Sequence, residues 1–198
     1  MLTIYLLRHG ETAWNADGNR YCGRTDLPLT EQGIRQAETV QQKLKHLTFD
    51  GIYASPLIRA RRTAEIVSGG KAVTTDARLI ETDFGRWEGK PKSVFIKENE
   101  ALWQAWTTDP TDVQAGGTGD TAGAVVARAD AFFRSVNTAG HPDRMLMVVA
   151  HNGLNRLYLS YKLGMPLKNY QRFFLDNASV TVFTLDEDNN MILRSLNK

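Results

Sequence analysis

Two histidines, His9 and His151, each follow a short apolar run, a position from which a side chain could do chemistry. A third segment, after the apolar residues 51–54, carries Arg59 in the helix expected to follow. An imidazole is often neutral and nucleophilic near pH 7, and a guanidinium is a planar cation that binds oxyanions. If these runs are parallel strands of one sheet, the three side chains meet at its carboxyl edge. A tetrahedral phosphate is the ligand that fits them best there.

Composition limits the class of protein. The chain has 198 residues, 42% of them hydrophobic and 23% charged, and we expect one domain over residues 1–198. A net charge of +2 with dispersed cations predicts no nucleic-acid partner, and the single cysteine excludes an internal disulfide. No signal-peptide pattern and no run of transmembrane length is present, so we expect a cytoplasmic protein without a membrane partner. The composition does not decide whether the protein forms a homodimer, which stays possible as a partner.

The first third of the chain alternates between strand and helix patterns. Strands are expected at residues 2–7, 51–54 and 72–75, and helices at residues 30–45 and 56–67. Thr30 is a good N-cap for the first helix, and Ser55 with Pro56 predicts the start of the second. This order predicts an α/β fold with three layers, in which helices cover both faces of a mostly parallel sheet.

Region 76–119 is expected to be an inserted, mostly helical flap over the carboxyl edge of the sheet. We interpret Trp103 and Trp106 as packing within this flap, rather than as a ligand-stacking platform. His141 is expected to be a solvated loop residue.

The remaining predicted elements are a helix over 93–106, a helix from 120 or 121 to 136, a strand over 145–150, a helix over 154–163 and a hairpin of strands 180–185 and 191–196.

Three stretches resemble the signatures of the histidine phosphatase superfamily, the phosphoglycerate mutase-like proteins. The first signature is Arg-His-Gly, then Thr two residues on and Asn three beyond it, and it is matched by Arg8, His9, Gly10, Thr12 and Asn15. The second, Ser-Pro-x-x-Arg-Ala-x-x-Thr-Ala, is matched by the residues from Ser55 to Ala64. His151 matches the family's second catalytic histidine. The resemblance extends over residues 2–163.

This resemblance implies a site and a mechanism. His9 is the expected nucleophile, which becomes a phosphohistidine, Glu81 is the expected proton donor, and His151 assists at the phosphate. The residues expected to bind substrate are Arg8, Asn15, Cys22, Gly23, Arg59 and Asn152. Neither a metal nor a cofactor is expected, and the expected partner is a small phosphorylated metabolite. The surrounding arginines are expected to keep His9 neutral.

Three functions are considered: a phosphatase, a mutase that returns the phosphoryl group to its substrate, and a non-catalytic phospho-ligand binder. Residues 81–89 are of the phosphatase type and the insertion is modest, which favours hydrolysis because water then reaches the phosphohistidine. Asn152, in place of the middle residue of the usual His-Gly-Gly, bears on substrate choice. Residues 117–120 also bear on substrate choice, because they differ from the family's Gly-Gly-Glu-Ser.

Three other polar residues receive secondary interpretations. Asp83 is an alternative acid, whereas Glu88 is expected to be structural. Arg24 is expected to be a solvated loop arginine, with contact to an acidic group of the substrate as the alternative. Substrate choice is expected to reside in the flap and in residues 21–26.

Overall fold

The computed structural model describes residues 1–138 and 143–198, and within them the strands form one six-stranded sheet. The strands are β1 (Leu2–Arg8), β2 (Gly51–Ala54), β3 (Thr74–Thr75), β4 (Arg144–Ala150), β5 (Val180–Leu185) and β6 (Met191–Ser195). Their order is β3-β2-β4-β1-β5-β6. The first four are mutually parallel, while β5 is antiparallel to β1 and to β6. The predicted α/β class with a mostly parallel sheet is confirmed. His141 lies outside the described residues.

The central strands β1 and β4 carry the two histidines at their ends. They pair in parallel along their whole length, with Arg8 opposite Ala150. Because the two strands end in register, His9 and His151 leave the sheet at the same height. The main-chain N–H of His9 also donates to the Ala150 carbonyl at 3.1 Å. This register brings the two histidines close together, as the sequence predicted.

Helices cover both faces of the sheet and form the predicted three layers. The helices are α1 (Ala13–Ala16), α2 (Glu31–Leu44), α3 (Ile58–Val67), α4 (Lys92–Glu98), α5 (Glu100–Thr108), α6 (Ala122–Val136) and α7 (Asn152–Lys162). Side chains alternate between the two faces of a strand. Leu6 and Val148 therefore pack in the core beneath α6 and α7, whereas Leu7 and Val149 pack in the core beneath α2 and α3.

Three helix starts show how local and distant caps differ. Thr30 caps α2 as predicted, since its Oγ1 accepts the Gly33 N–H at 3.0 Å. In contrast, α3 begins at Ile58 rather than at Pro56. Its cap comes from a distant loop, where Asp26 Oδ1 accepts the Ile58 N–H at 2.8 Å. The start of α7 is also shifted, to Asn152 from the expected residue 154.

Region 76–119 forms the predicted flap, with one correction. The sequence predicted a single helix over residues 93–106, but the structure has two, α4 and α5. Asn99 separates them because it leaves the helical conformation, and its Oδ1 accepts the Leu102 N–H at 3.0 Å to cap α5. Trp106 is fully buried, and its Nε1–H donates to Tyr170 Oη at 3.0 Å, which is a packing role.

Two smaller findings complete the fold. Strand β3 covers only Thr74–Thr75, half of the predicted span, and both residues are exposed at the edge of the sheet. Thr121, and not Asp120, caps α6, because its side chain accepts the Ala124 N–H at 3.2 Å. Of the helices in the part of the chain that the structure describes, none has the length and apolar character needed to cross a membrane.

Candidate active site

The His9 ring is fixed in one tautomer by its hydrogen bonds. Its Nδ1 lies 2.7 Å from the Gly10 carbonyl oxygen. A carbonyl oxygen only accepts, so Nδ1 carries the proton and Nε2 keeps its lone pair. Arg59 Nε–H donates to that Nε2 at 3.3 Å. The arrangement leaves Nε2 as the nucleophilic atom of a buried neutral imidazole.

Gly10 and Thr63 connect this loop to α3. Gly10 N–H donates to Thr63 Oγ1 at 3.0 Å, and Thr63 Oγ1–H donates to the Arg59 carbonyl at 2.7 Å. A side chain at Gly10 is excluded, because its Cβ would lie 2.4 Å from the Gly33 carbonyl oxygen. The first and second signature stretches are therefore joined through a chain of direct hydrogen bonds.

The pKa of His9 is held well below its ordinary value of 6.5. Burial is the largest cause, followed by the charges of Arg59 and Arg8. The sequence predicted a neutral His9 but attributed it to the arginines, whereas removal of the ring from water contributes more. The pKa of Arg8 falls to about 10, again chiefly through burial.

His151 is fully buried beside His9, with ring centroids 5.2 Å apart. Its pKa is also held well below 6.5, first by burial and then by the charge of Arg59. Neither ring nitrogen has a hydrogen-bond partner among the described residues. A buried polar group without a partner is costly, so an unpaired neutral imidazole at this position is suited to binding an oxygen of a ligand.

Arg59 is fully buried and connects His9 to the loop that follows α1. Its Nη2 donates to the Gly23 carbonyl at 2.6 Å, and its Nη1 donates to the Thr25 carbonyl at 2.9 Å. With the bond from Nε to His9, three of its five N–H groups are used. Arg59 thus orients His9 and anchors the loop, with two donors remaining.

Glu81 binds the N-terminus of α7. Its Oε2 accepts the Gly153 N–H at 2.9 Å, and its Oε1 accepts the N–H groups of Leu154 at 2.9 Å and Thr82 at 2.8 Å. A helix N-terminus favours negative charge and offers free N–H groups. The Glu81 carboxylate therefore occupies two of the first N–H groups of α7, which an anionic ligand would otherwise bind.

A cleft of about 340 Å³ opens over these residues. Six of the predicted site residues line it: Arg8, His9, Asn15, Cys22, Glu81 and Asn152. Arg59 and His151 do not line it, but both are fully buried next to His9, which does. Gly23 is buried and holds Arg59 through its carbonyl group. A Cβ at Gly23 would lie 2.2 Å from Glu88 Oε1, which explains the glycine.

Arg8 and Asn15 are held at the cleft by neighbouring loops. Arg8 Nη1 donates to the Leu175 carbonyl at 2.7 Å, and its buried Nε has no partner among the described residues. Asn15 Oδ1 accepts the Thr12 N–H at 3.1 Å and also a hydrogen bond from Asn177 Nδ2 at 3.2 Å. These bonds fix both side chains before any ligand binds.

Asn152 and Cys22 form two further parts of the cleft wall. Asn152 is the first residue of α7, and its buried Oδ1 is unpartnered within the described part of the chain. Burial raises the pKa of the Cys22 thiol to about 11, and its Sγ–H donates to the Thr25 carbonyl at 3.7 Å. Cys22 is therefore a protonated wall residue rather than an activated nucleophile.

Several polar residues of the loops and flap have structural roles. Glu88 accepts the N–H groups of Arg24 at 2.7 Å and Thr25 at 3.1 Å, so it organises the loop of residues 20–29, here called the covering loop. Arg24 is paired with Asp120, with Nη2 to Oδ2 at 3.0 Å. Asp83 Oδ1 accepts the Gly85 N–H at 2.8 Å, and this residue does not line the cleft. The geometry therefore favours Glu81 over Asp83 as the acid.

Several residues that line the cleft were not predicted from the sequence, among them Lys92, Arg156 and Tyr170. Arg156 Nε donates to the Tyr170 carbonyl at 3.0 Å, and the guanidinium lies 5.0 Å from the centre of the Tyr170 ring. Its position four residues after Asn152, on the same side of α7, is the signal that could have revealed it. Arg8, Lys92 and Arg156 together make the cleft cationic.

The geometry and the sequence both define an α/β enzyme of phosphate esters with a histidine at its centre. The chain belongs to the histidine phosphatase superfamily (branch 1), whose sequence profile matches residues 4–198. The phosphatases of this family are phosphoric monoester hydrolases, and that is the enzyme class of this chain. The resemblance to this superfamily that the sequence showed is confirmed.

Named relatives include phosphatases and a mutase. Phosphoserine phosphatase 1 from Hydrogenobacter thermophilus is 33% identical over 196 residues, which are 98% of this chain and 92% of that protein. A probable phosphoglycerate mutase GpmB from Yersinia pestis is 34% identical over 183 residues, covering 91% of this chain and 84% of that protein. The crystal structure of phosphoserine phosphatase in complex with 3-phosphoglyceric acid, from Entamoeba histolytica, has a TM-score of 0.88. It is 29% identical and covers 100% of this chain and 98% of that one.

Proposed function

We propose that the protein is a metal-independent phosphatase that hydrolyses a small phosphate monoester through a phosphohistidine on His9, and that residues 1–198 act as one catalytic domain. The observation that carries the proposal is the fixed tautomer of His9. Its Nδ1 is bonded to the Gly10 carbonyl, and Nε2 retains a lone pair next to Arg59. A neutral imidazole whose unprotonated nitrogen is defined is the form that attacks phosphorus.

In the first step, His9 Nε2 attacks the phosphorus atom and the bond from phosphorus to the ester oxygen breaks. Glu81 gives its proton to the departing oxygen, which leaves as an alcohol. Oε1 of Glu81 accepts two N–H groups and Oε2 accepts only one, so Oε2 has a lone pair available for that proton. The carboxylate that remains stays bound to the N-terminus of α7.

In the second step, water attacks the phosphohistidine, and the bond from phosphorus to Nε2 breaks. Glu81 takes a proton from this water, so both the acid and the neutral His9 are regenerated. Arg8, Arg59 and the His151 ring bind the phosphoryl oxygens. They stabilise the charge spread over these oxygens in the transition state. A small phosphorylated metabolite fits the cationic cleft of about 340 Å³.

Hydrolysis is favoured over mutase chemistry because the flap insertion, residues 76–119, is modest, so water is expected to reach the phosphohistidine. The flap contributes Phe84 and Lys92 to the wall of the cleft, with α4 and α5 packed behind them. A mutase must exclude water while the phosphohistidine waits for its second acceptor. The unpaired cysteine is in keeping with a reducing compartment, so we further infer a cytoplasmic location.

The test is a turnover profile over phosphoserine, phosphosugars, phosphoglycerates and nucleotides, with free phosphate and isomerised product measured together. We expect phosphate release to exceed isomerisation for every substrate. Faster isomerisation of 3-phosphoglycerate would show a mutase instead. His9→Ala should abolish both reactions, whereas Arg61→Ala, an exposed change on α3, should leave them intact. Wild-type protein that binds phosphate esters but releases no phosphate would be a binding domain.

A further inference from the structure

Arg128 reaches from α6 to the segment that carries Glu81. Its Nη1 donates to the carbonyl oxygens of Arg78, at 2.8 Å, and of Ile80, and its Nη2 donates to the Glu81 carbonyl at 3.1 Å. The side chain is only 19% exposed. One guanidinium thus binds three carbonyl groups within residues 78–81, including that of the proposed acid.

Asp120 extends this arrangement to the other side of Glu81. Its Oδ2 lies 3.6 Å from Arg128 Nη2 and accepts the Asp83 N–H at 3.0 Å. The same carboxylate pairs with Arg24 of the covering loop. The backbone is therefore bound on both sides of Glu81 by one half-buried ion pair.

The two ends of Glu81 are held by two different helices. Its main-chain carbonyl is bound from α6 through Arg128, and its carboxylate is bound by the first N–H groups of α7. Arg128 is not among the residues that line the cleft, so it acts on a substrate through neighbouring residues, and its three hydrogen bonds go to residues 78–81. A displacement of about 1 Å in a reacting group can cost about 100-fold in rate.

We propose that Arg128 is a positioning residue for proton transfer: by binding the carbonyl groups around Glu81, it places the carboxyl group against the leaving oxygen. The inference rests on the proposed function, which makes Glu81 the proton donor. Among the described residues Arg128 has no hydrogen bond to His9, Arg8 or Arg59, and its charge is one of the smaller causes of the lowered pKa of His151.

The dependence on the leaving group separates positioning from general support of the fold. A serine or sugar alkoxide needs a proton as it departs, whereas p-nitrophenolate leaves readily without one. The value of kcat/KM reports events up to the first irreversible step, here the transfer of the phosphoryl group to His9. A misplaced acid therefore lowers kcat/KM for alkyl esters more than for p-nitrophenyl phosphate.

The experiment measures kcat/KM for p-nitrophenyl phosphate and for the alkyl phosphate that the turnover profile shows to react fastest. The variants are Arg128→Met, Arg128→Lys and Glu81→Gln. Arg134→Met is the matched control, an arginine of the same helix whose ion pair with Asp130 is remote from Glu81. The ratio of the two kcat/KM values does not depend on the folded fraction of a sample, so partial unfolding of a variant does not affect it.

We expect Arg128→Met to lower kcat/KM for the alkyl ester about 10- to 100-fold more than for p-nitrophenyl phosphate, with Glu81→Gln showing the same pattern more strongly. Arg128→Lys should be intermediate, because an ammonium group lacks the planar fork of donors. Equal losses for both substrates in Arg128→Met, with a selective loss in Glu81→Gln, would overturn this inference alone. No selective loss in Glu81→Gln would instead refute the proposed acid, and this inference with it.

Discussion

His9 and His151 share one environment, in which two rings are removed from water beside two buried arginines. Burial is the first cause of the lowered pKa in each, and arginine charge is the second. Both histidines are therefore neutral at physiological pH. His9 then has a nucleophilic lone pair, and His151 can donate one N–H to a phosphoryl oxygen.

The lowered pKa values predict how stability changes with pH. The unfolded chain, with histidines near 6.5, binds more protons than the folded chain between that value and the lower folded values. The free energy of unfolding should therefore fall as pH falls from about 6.5 to about 5, by about 1.4 kcal/mol per pH unit for each histidine. Urea unfolding at several pH values measures this slope. A His9→Asn/His151→Asn double variant should lack most of it, and an equal slope in the variant would refute the assignment.

Gly153 offers a second prediction, since it approaches the acid closely. A Cβ at this position would lie 2.8 Å from Glu81 Oε1. Gly153→Ala should displace the carboxylate and lower kcat/KM for alkyl esters by about 100-fold.

Gly123→Ala is the control for Gly153→Ala. Gly123 is also the second residue of its helix, and its Cβ would lie 2.8 Å from the Thr111 carbonyl oxygen, away from the cleft. Both variants should lose about 1–3 kcal/mol of stability from overpacking, but only Gly153→Ala should lose activity. Similar kinetics in the two variants would contradict the proposed position of the acid.

The loop of residues 20–29 depends on contacts from α3 and from the flap. Arg59 binds its carbonyl groups at Gly23 and Thr25, while Glu88 accepts its N–H groups at Arg24 and Thr25. Tyr21 and Cys22 of the same loop line the cleft. The loop thus connects one wall of the cleft to the orientation of Arg59.

Glu88→Ala should loosen this loop. Without the carboxylate, two N–H groups and the Thr25 hydroxyl lose their acceptor, so binding of substrate should weaken and KM should rise about 10-fold. Steady-state kinetics on the preferred ester provide the measurement. The control is Glu65→Ala, because Glu65 is an exposed partner of Arg62 on α3. If the two variants have the same KM, the loop does not depend on Glu88.

Local sequence patterns predicted which helices and strands form more accurately than they predicted the residues at which these elements begin and end. Thr30 and the periodic apolar residues after it were sufficient to predict α2, because its cap is adjacent in sequence. The start of α3 could not be read in this way, since Asp26 caps it from a distant loop. Asn99 divides the predicted flap helix by capping a second one, a role that competes with continuation of the helix.

The candidate site was predicted in the same uneven way. His9, Arg59 and His151 come together because β1 and β4 pair in register, which the strand–helix order implied. The bonds from Glu81 to α7 and from Arg128 to residues 78–81 join segments far apart in sequence. No pattern in either segment indicates them, so only the folded chain reveals them.

At the level of the whole molecule, the proposed mechanism assigns to cations at the edge of the sheet the role that a metal ion has in other phosphoryl-transfer enzymes. Arg8 and Arg59 are both buried next to His9. Their guanidinium groups supply the charge that the phosphoryl oxygens require. We therefore predict that dialysis against EDTA leaves kcat/KM unchanged. Loss of activity that Mg²⁺ restores would show that a metal takes part.

The phosphoenzyme itself is the most direct test of the account. The enzyme is mixed with its preferred ester, quenched in alkali, where phosphohistidine survives, and digested for mass spectrometry and ³¹P–¹⁵N NMR. We predict one phosphoryl group on the peptide that contains His9, bonded to Nε2, since Nδ1 is bonded to the Gly10 carbonyl. His9→Ala should show no such group. Phosphate on Nδ1, on another residue, or on no residue during active turnover would contradict the proposed mechanism.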